Sequence, residues 1–175
     1  MSKSMKLAFI VVAILGIIAV VGRIGFAGPQ VVAAPLKGYR MPPFTLTEYP
    51  SGQTLDTKSL RGKPLFINFW ASWCPPCNAE TPGIVEAYRK YGSTVTFVSV
   101  NVTSQDSLAG MKKFVAKYGI PFPVALDKKG DVMQLYRVLS FPTSFFVNRQ
   151  GTIVDIADGQ LSANELNTEL QKISS

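Results

Sequence analysis

The sequence contains no histidine and only two cysteines, Cys74 and Cys77, among its 175 residues. Without histidine, this chain cannot form a Ser-His-Asp or Cys-His catalytic arrangement, and it cannot bind a metal or haem through an imidazole. Two cysteines are also too few for a structural zinc site with four protein ligands. We therefore expect no metal and no cofactor. Any reactive group has to be a side chain other than histidine.

Charged residues are also scarce, at 17%, whereas hydrophobic residues make up 47% of the chain. This balance excludes wholesale disorder, and the length suits one domain with a sizeable core. The net charge is +7, but three of these positive charges lie in the first 27 residues, which contain no acid. Over the other residues the excess of positive over negative side chains is small and scattered, so the composition does not support nucleic-acid binding.

The N-terminus has the pattern of a membrane signal. Two lysines precede an apolar run over residues 7–27 that only Arg23 interrupts, and an arginine near the end of a span can reach the headgroups. The run is long enough to span a bilayer. We predict a cytoplasmic n-region over 1–6 and a transmembrane signal-anchor over 7–27; a cleaved secretory signal is the alternative.

Both alternatives place the rest of the chain outside the cytoplasm, because the positive charges stay inside. Residues 28–39 contain proline and glycine without periodicity, which predicts a linker. The domain itself is predicted over 40–175. The predicted location is the cell membrane, with a single span and the catalytic domain on the extracytoplasmic side.

Strand and helix patterns alternate along residues 40–175. The continuous apolar run 65–70 is typical of a strand that is buried on both faces. Ser162, followed by Glu165, predicts a capping box for the last helix. The patterns predict an α/β domain with a mixed sheet and helices on both faces. Helices are expected over 78–91, 108–118, 131–138 and 162–173, and strands over 44–47, 54–55, 65–70, 94–102, 122–126, 143–148 and 152–157.

The segment Trp73-Cys74-Pro75-Pro76-Cys77 lies between the buried strand and the next helix. This places Cys74 at the helix N-cap, where the helix dipole lowers the pKa of a thiol. We expect Cys74 to be the exposed nucleophile and Cys77 the shielded resolving thiol, as thiol–disulfide exchange requires. A structural disulfide and a metal knuckle are the two alternatives for this pair.

The motif and its surroundings resemble the membrane-anchored ResA/TlpA/CcmG group of thioredoxin-fold proteins. The resemblance covers most of 40–175 and is carried by residues 43–44, 68–70, 73–80 and 141–145. It implies a thioredoxin-like mixed sheet flanked by helices, with an inserted helix and strand within 103–126. It also implies an oxidoreductase that reduces disulfides in exported proteins, often apocytochrome c before haem attachment. The electron donor implied is a membrane dithiol carrier of the CcdA/DsbD type.

The resemblance also implies roles for two further residues. Glu80 follows Cys77 by three positions, and it is the implied acid/base beside the thiols; the alternative is a solvated glutamate in the first helical turn. Asn68 stands where cytoplasmic thioredoxins have a buried aspartate, and it cannot titrate. Pro142 is the implied cis-proline, which would leave the Phe141 backbone free to pair with an extended substrate.

A substrate-binding surface is therefore expected around the dithiol, with Trp73 and Phe141 as an apolar rim. Because Pro75 and Pro76 lack N–H groups, the Cys74 thiolate keeps mainly the N–H of Cys77 as a donor. We expect the Cys74 pKa to be lowered modestly and not drastically, and hence a couple that is more reducing than that of a strong oxidase such as DsbA. The full set of expected substrate-binding residues is Trp73, Pro75, Pro76, Phe141, Pro142 and Thr143.

The favoured function is reduction of disulfides in exported proteins, with apocytochrome c as the client. The alternatives are a reductase for a spore-envelope or cell-wall client, a disulfide-forming oxidase, a thiol peroxidase, and a redox-inactive binding module tethered to the membrane. A lone peroxidatic cysteine with a nearby arginine would be typical of a peroxidase, whereas this chain has a CxxC pair.

Overall fold

A mixed sheet of seven strands organises residues 32–174, the part of the chain that the computed structural model describes. The order across the sheet is β2-β1-β5-β4-β3-β6-β7. The central pair, β3 and β4, is parallel, whereas β6 pairs with β3 in the antiparallel sense. The strands are β1 (Thr45–Tyr49), β2 (Thr54–Asp56), β3 (Leu65–Trp70), β4 (Thr96–Asn101), β5 (Val124–Leu126), β6 (Thr143–Val147) and β7 (Ile153–Asp158).

Every residue of β3 is buried, as its uninterrupted apolar pattern predicts. Its alternate side chains point to opposite faces of the sheet and enter different apolar clusters. Ile67 belongs to a cluster on one face, together with Tyr136, while Phe66 belongs to a cluster on the other face, together with Leu166. The predictions of a mixed sheet and of a strand over 65–70 that is buried on both faces are confirmed.

Within the described residues, four α-helices connect and cover the strands: α1 (Pro75–Tyr91), α2 (Leu108–Tyr118), α3 (Asp131–Leu135) and α4 (Ala163–Ser174). The capping box of α4 is confirmed, because the Ser162 N–H donates to Glu165 Oε2 at 2.8 Å and the Glu165 N–H donates to Ser162 Oγ at 3.3 Å. The segment 103–126, the predicted insertion, forms α2 and β5.

Element boundaries differ from the prediction by a few residues, for local reasons. Helix α1 begins at Pro75 rather than at residue 78, because proline suits the first turn, where an N–H would have no helical partner. Strand β5 begins at Val124 rather than at residue 122, since Pro123 cannot donate to a strand ladder. The short helix α3 ends at Leu135, and Arg137 follows with a positive φ of 52°.

The predicted n-region and signal-anchor, residues 1–27, lie outside the described residues. Within residues 32–174, no helix is long and apolar enough to cross a membrane. The described end of the predicted linker is attached to the sheet: the Gly38 N–H donates to the Ile153 carbonyl at 2.8 Å, and the Ile153 N–H donates to the Tyr39 carbonyl at 2.9 Å.

Candidate active site

The two cysteines lie where β3 passes into α1. Cys74 is the N-cap of α1, with extended backbone angles (φ −80°, ψ 114°), and Pro75 and Pro76 are the first two helical residues. The Cys77 N–H donates to Cys74 Sγ at 3.2 Å. The predicted N-cap position of Cys74 is therefore confirmed, as is the predicted donor from Cys77.

Cys74 and Cys77 are joined by a disulfide, with the two Cα atoms 5.3 Å apart. These are the only cysteines of the sequence, so the structure shows the oxidised form of the pair. A CxxC pair that can close in this way, at the N-terminus of a helix, has the geometry of thiol–disulfide exchange.

The expectation that Cys74 is exposed is wrong for this oxidised form. Cys74 is 2% exposed and Cys77 is 1% exposed, so neither is much more accessible than the other. Both belong to an apolar cluster that includes Met111 and Phe114 of α2, and the partly buried Phe141 packs against that cluster. Met111, Phe114 and Phe141 are distant from the CxxC motif in sequence. The local pattern around the motif therefore does not show that its helix start is enclosed.

Glu80 is buried on α1, one turn after Cys77, with 5% of its surface exposed. It is not the solvated glutamate of the alternative interpretation. Asn68 Nδ2 donates to Glu80 Oε1 at 2.9 Å, and the Leu161 N–H donates to Oε2 at 3.1 Å. Burial raises the pKa of Glu80 to about 7, although these two hydrogen bonds act in the opposite direction. A carboxyl group with this pKa can take up and release a proton near neutrality.

Asn68 connects Glu80 to β6. Its Nδ2 donates to Ser144 Oγ at 3.0 Å as well as to Glu80, and Asn68 and Ser144 are direct partners in the sheet register. Because an amide cannot titrate, Glu80 is the one group of this buried trio that changes charge near pH 7.

Trp73 and Phe141 form the apolar rim that the sequence predicts. The Trp73 side chain is 59% exposed, and its ring meets the Phe141 ring edge-on, with centroids 6.0 Å apart. Pro75 and Pro76 are exposed beside it. The cis peptide bond before Pro142 is confirmed. Thr143 is buried, and its hydroxyl donates to the Ser140 carbonyl at 2.8 Å, so this side chain supports the loop instead of lining the surface.

Sequence reasoning missed Asp106, whose carboxylate binds the loop before Cys74. Ser72 donates to it twice, from N–H to Oδ2 and from Oγ to Oδ1, both at 2.7 Å. Partial burial opposes its charge, but hydrogen bonds from Ser72, Asn101 and Ser107 outweigh burial and lower the pKa of Asp106. The available signal was an Asp-Ser pair just before a helix, which indicates a cap but not a partner 34 positions away.

Asn78 is a second residue that the sequence did not single out. Its Nδ2 donates to the carbonyls of Cys74 at 2.9 Å and Ser72 at 3.2 Å. Its Oδ1 accepts from the Tyr118 hydroxyl at 2.8 Å and from Lys117 Nζ at 3.2 Å. The end of α2 is thereby connected to the backbone on both sides of Trp73.

The fold and this site define a thiol–disulfide oxidoreductase with a thioredoxin-like fold. A family model described as AhpC/TSA matches residues 38–156. The chain belongs to this AhpC/TSA family.

Similar proteins carry names that agree with this class. The thiol-disulfide oxidoreductase ResA of Bacillus thuringiensis subsp. konkukian is 34% identical over 138 residues, which are 78% of each chain. A crystal structure of a putative thiol:disulfide interchange protein DsbE from Chlorobium tepidum is similar with a TM-score of 0.72 and 29% identity, covering 80% of this chain and 99% of that one. A secreted Mycobacterium tuberculosis disulfide oxidoreductase homologous to E. coli DsbE has a TM-score of 0.68 and 32% identity, covering 74% and 95%.

Proposed function

We propose that this oxidoreductase acts outside the cytoplasm as a reductase of disulfides in exported proteins, with apocytochrome c as its client. The predicted signal-anchor supports the location, as does the similarity to a protein described as secreted. The client follows from the resemblance of the Trp73–Glu80 segment to the ResA/TlpA/CcmG group. A membrane dithiol carrier of the CcdA/DsbD type is the proposed electron donor.

The single observation that carries the reducing direction is the donor set at Cys74 Sγ. The N-cap side chain of a helix accepts hydrogen bonds from the N–H groups at the second and third helical positions. Here the second position is Pro76, which has no N–H, so the donor is Cys77 alone. Fewer donors stabilise the Cys74 thiolate less, and a less stabilised reduced form makes the couple a better reductant.

The reaction is a two-electron exchange. The Cys74 thiolate attacks one sulfur of the client disulfide, which forms a mixed disulfide and releases the other client sulfur as a thiolate. Cys77 then passes its proton to Glu80 and attacks Cys74 Sγ. This step breaks the mixed disulfide, releases the second client thiolate and leaves the Cys74–Cys77 disulfide. The donor dithiol reduces that disulfide again and is itself oxidised.

A redox titration followed through Trp70 and Trp73 fluorescence tests the direction, with Cys74→Ser as the blank. We expect a midpoint at or below about −220 mV, in the range of proteins that donate electrons. A midpoint near about −120 mV is typical of a strong oxidase and would make the protein a disulfide-forming enzyme.

The client needs a separate assay. We expect the reduced protein to reduce the disulfide of a CxxCH peptide from an apocytochrome c faster than the same disulfide with scrambled flanking residues. Equal rates on the two peptides would indicate another client. A protease-protection assay on intact cells tests the location: digestion of the domain from outside supports the proposal, and full protection would refute it.

A further inference from the structure

Two contacts join the loop before Cys74 to the segment that leads into α2. The backbone N–H and the hydroxyl of Ser72 both donate to the Asp106 carboxylate at 2.7 Å. One residue along the loop, Trp73 Nε1 donates to the Gln105 carbonyl at 2.8 Å. Neighbouring residues of one segment therefore bind neighbouring residues of the other.

The Asp106 carboxylate is itself held in place. Its Oδ2 also accepts from Asn101 Nδ2 at 2.8 Å, and its Oδ1 also accepts from the Ser107 N–H at 2.8 Å. Each oxygen thus receives two hydrogen bonds, which uses the acceptor capacity of a carboxylate. Asn101 is fully buried, and its own Oδ1 accepts from Thr103 Oγ1 at 2.9 Å, so the group behind Asp106 is fixed as well.

The loop is also bound by Asn78, which donates to the carbonyls of Ser72 and Cys74. All three polar groups of Ser72, namely the N–H, the carbonyl and the hydroxyl, therefore have partners. Such a fully bonded residue two positions before Cys74 limits the orientations that the Cys74 backbone can adopt.

We propose that Asp106 is a positioning residue for the redox reaction, since it holds the Ser72–Cys74 segment in the arrangement that keeps Cys74 Sγ next to the Cys77 N–H. That N–H, 3.2 Å from the sulfur, stabilises the thiolate when the disulfide is reduced. If the segment is released, the sulfur spends time away from its donor. The thiolate is then less stable, and Cys74 reacts more slowly near neutral pH. The proposal depends on the thiol chemistry of the site and not on the client or the location.

The test measures how fast iodoacetamide alkylates Cys74 as a function of pH. The thiolate displaces iodide and a sulfur–carbon bond forms, so the rate reports the fraction of thiolate. The full-length protein is used in mild detergent, with Cys77→Ala as a common background so that one thiol reacts while the backbone N–H of position 77 remains.

Two variants weaken the contact without changing the net charge. Ser72→Ala removes the hydroxyl that donates to Oδ1, and Asp106→Glu moves the carboxylate by one methylene. The matched control is Asp127→Glu, in the loop before α3. It makes the same change at a buried carboxylate, whose Oδ2 accepts from the Met133 N–H at 2.8 Å.

We expect both variants at the Ser72–Asp106 contact to slow alkylation at pH 7 by about threefold, which corresponds to a rise of roughly 0.5 in the pKa of Cys74. The Asp127→Glu control is expected to lose stability while its alkylation profile stays that of the parent.

If neither variant changes the pH profile of alkylation, with or without loss of stability, the proposal is overturned. Asp106 would then have a structural role only. If Asp106→Glu does not fold, Ser72→Ala decides the question, since it removes one part-buried hydroxyl and leaves the Ser72 N–H bond to Asp106 intact. A control that shifts as much as Ser72→Ala would also overturn it, because the effect would then follow from general loosening.

Discussion

The buried carboxyl group of Glu80 gives the protein a specific dependence of stability on pH. Its pKa is about 7 in the folded state, against an ordinary value of 4.5. The folded state therefore holds a proton that the unfolded state has released at any pH between these two values. Stability from this group is fully present below pH 4.5 and is lost as the pH rises through 7.

The size of this effect follows from the difference between the two pKa values. The two pKa values, about 7 and 4.5, differ by about 2.5, and at about 1.36 kcal/mol per pH unit this gives a loss of about 3 kcal/mol between pH 4.5 and pH 8. Glu80→Gln cannot titrate, so the variant should not show this loss. Its amide loses the bond from the Leu161 N–H, but that penalty is the same at every pH and drops out of the comparison.

The assay is urea unfolding of the oxidised protein at several pH values from 4.5 to 8, so that neither cysteine titrates. We expect the difference in unfolding free energy between wild type and Glu80→Gln to change by about 3 kcal/mol across this range, in favour of the variant at high pH. Glu86→Gln, on the exposed side of the same helix, is the control and should follow the wild type. Parallel curves for wild type and Glu80→Gln would refute the reasoning.

Four further predictions concern the dithiol and its surroundings. Cys74→Ser should abolish mixed-disulfide formation with a client, whereas Cys77→Ser should accumulate it, as seen on non-reducing gels. Pro76→Ala restores an N–H at the second helical position, so redox titration should give a less negative midpoint, by about 30 mV for ~1.4 kcal/mol of added thiolate stabilisation. Trp73→Ala should raise the KM for the client in peptide-reduction kinetics and lower stability by about 1 kcal/mol, because the side chain is mainly exposed but its Nε1 bond to the Gln105 carbonyl is lost. Phe114→Ala removes a buried ring stacked 4.4 Å from Trp70, and urea unfolding should show a loss of about 3–5 kcal/mol.

The elements and the redox motif could be predicted because their signals are local. The apolar run of β3, the capping box at Ser162 and the CxxC pair each lie within a few residues of sequence. Hydrophobic periodicity and helix capping also act over a few residues. These patterns therefore predict the local structure that they stabilise.

The surroundings of the site could not be predicted because they come from remote parts of the chain. The sequence predicts an exposed Cys74, yet this residue is enclosed in a cluster with Met111 and Phe114, two residues that the sequence pattern assigns only to a helix. The role of Asp106 could not be predicted for the same reason. Its position before α2 indicates a helix cap, whereas its partner Ser72 lies in another loop. The surroundings of Glu80 likewise depend on β3 and on the segment before α4, which bring Asn68 and Leu161 beside it.

The hydrogen bond from the Leu161 N–H to Glu80 spans 81 positions of the chain. A ribosome therefore completes both thiols and the Glu80 carboxyl long before it adds the backbone group that binds Oε2. A chain that ends before Leu161 therefore contains the dithiol and the Glu80 carboxyl but lacks the N–H that binds Oε2. This hydrogen bond, which favours the charged form of Glu80, forms only after Leu161 has been added, at the start of the segment that leads into α4.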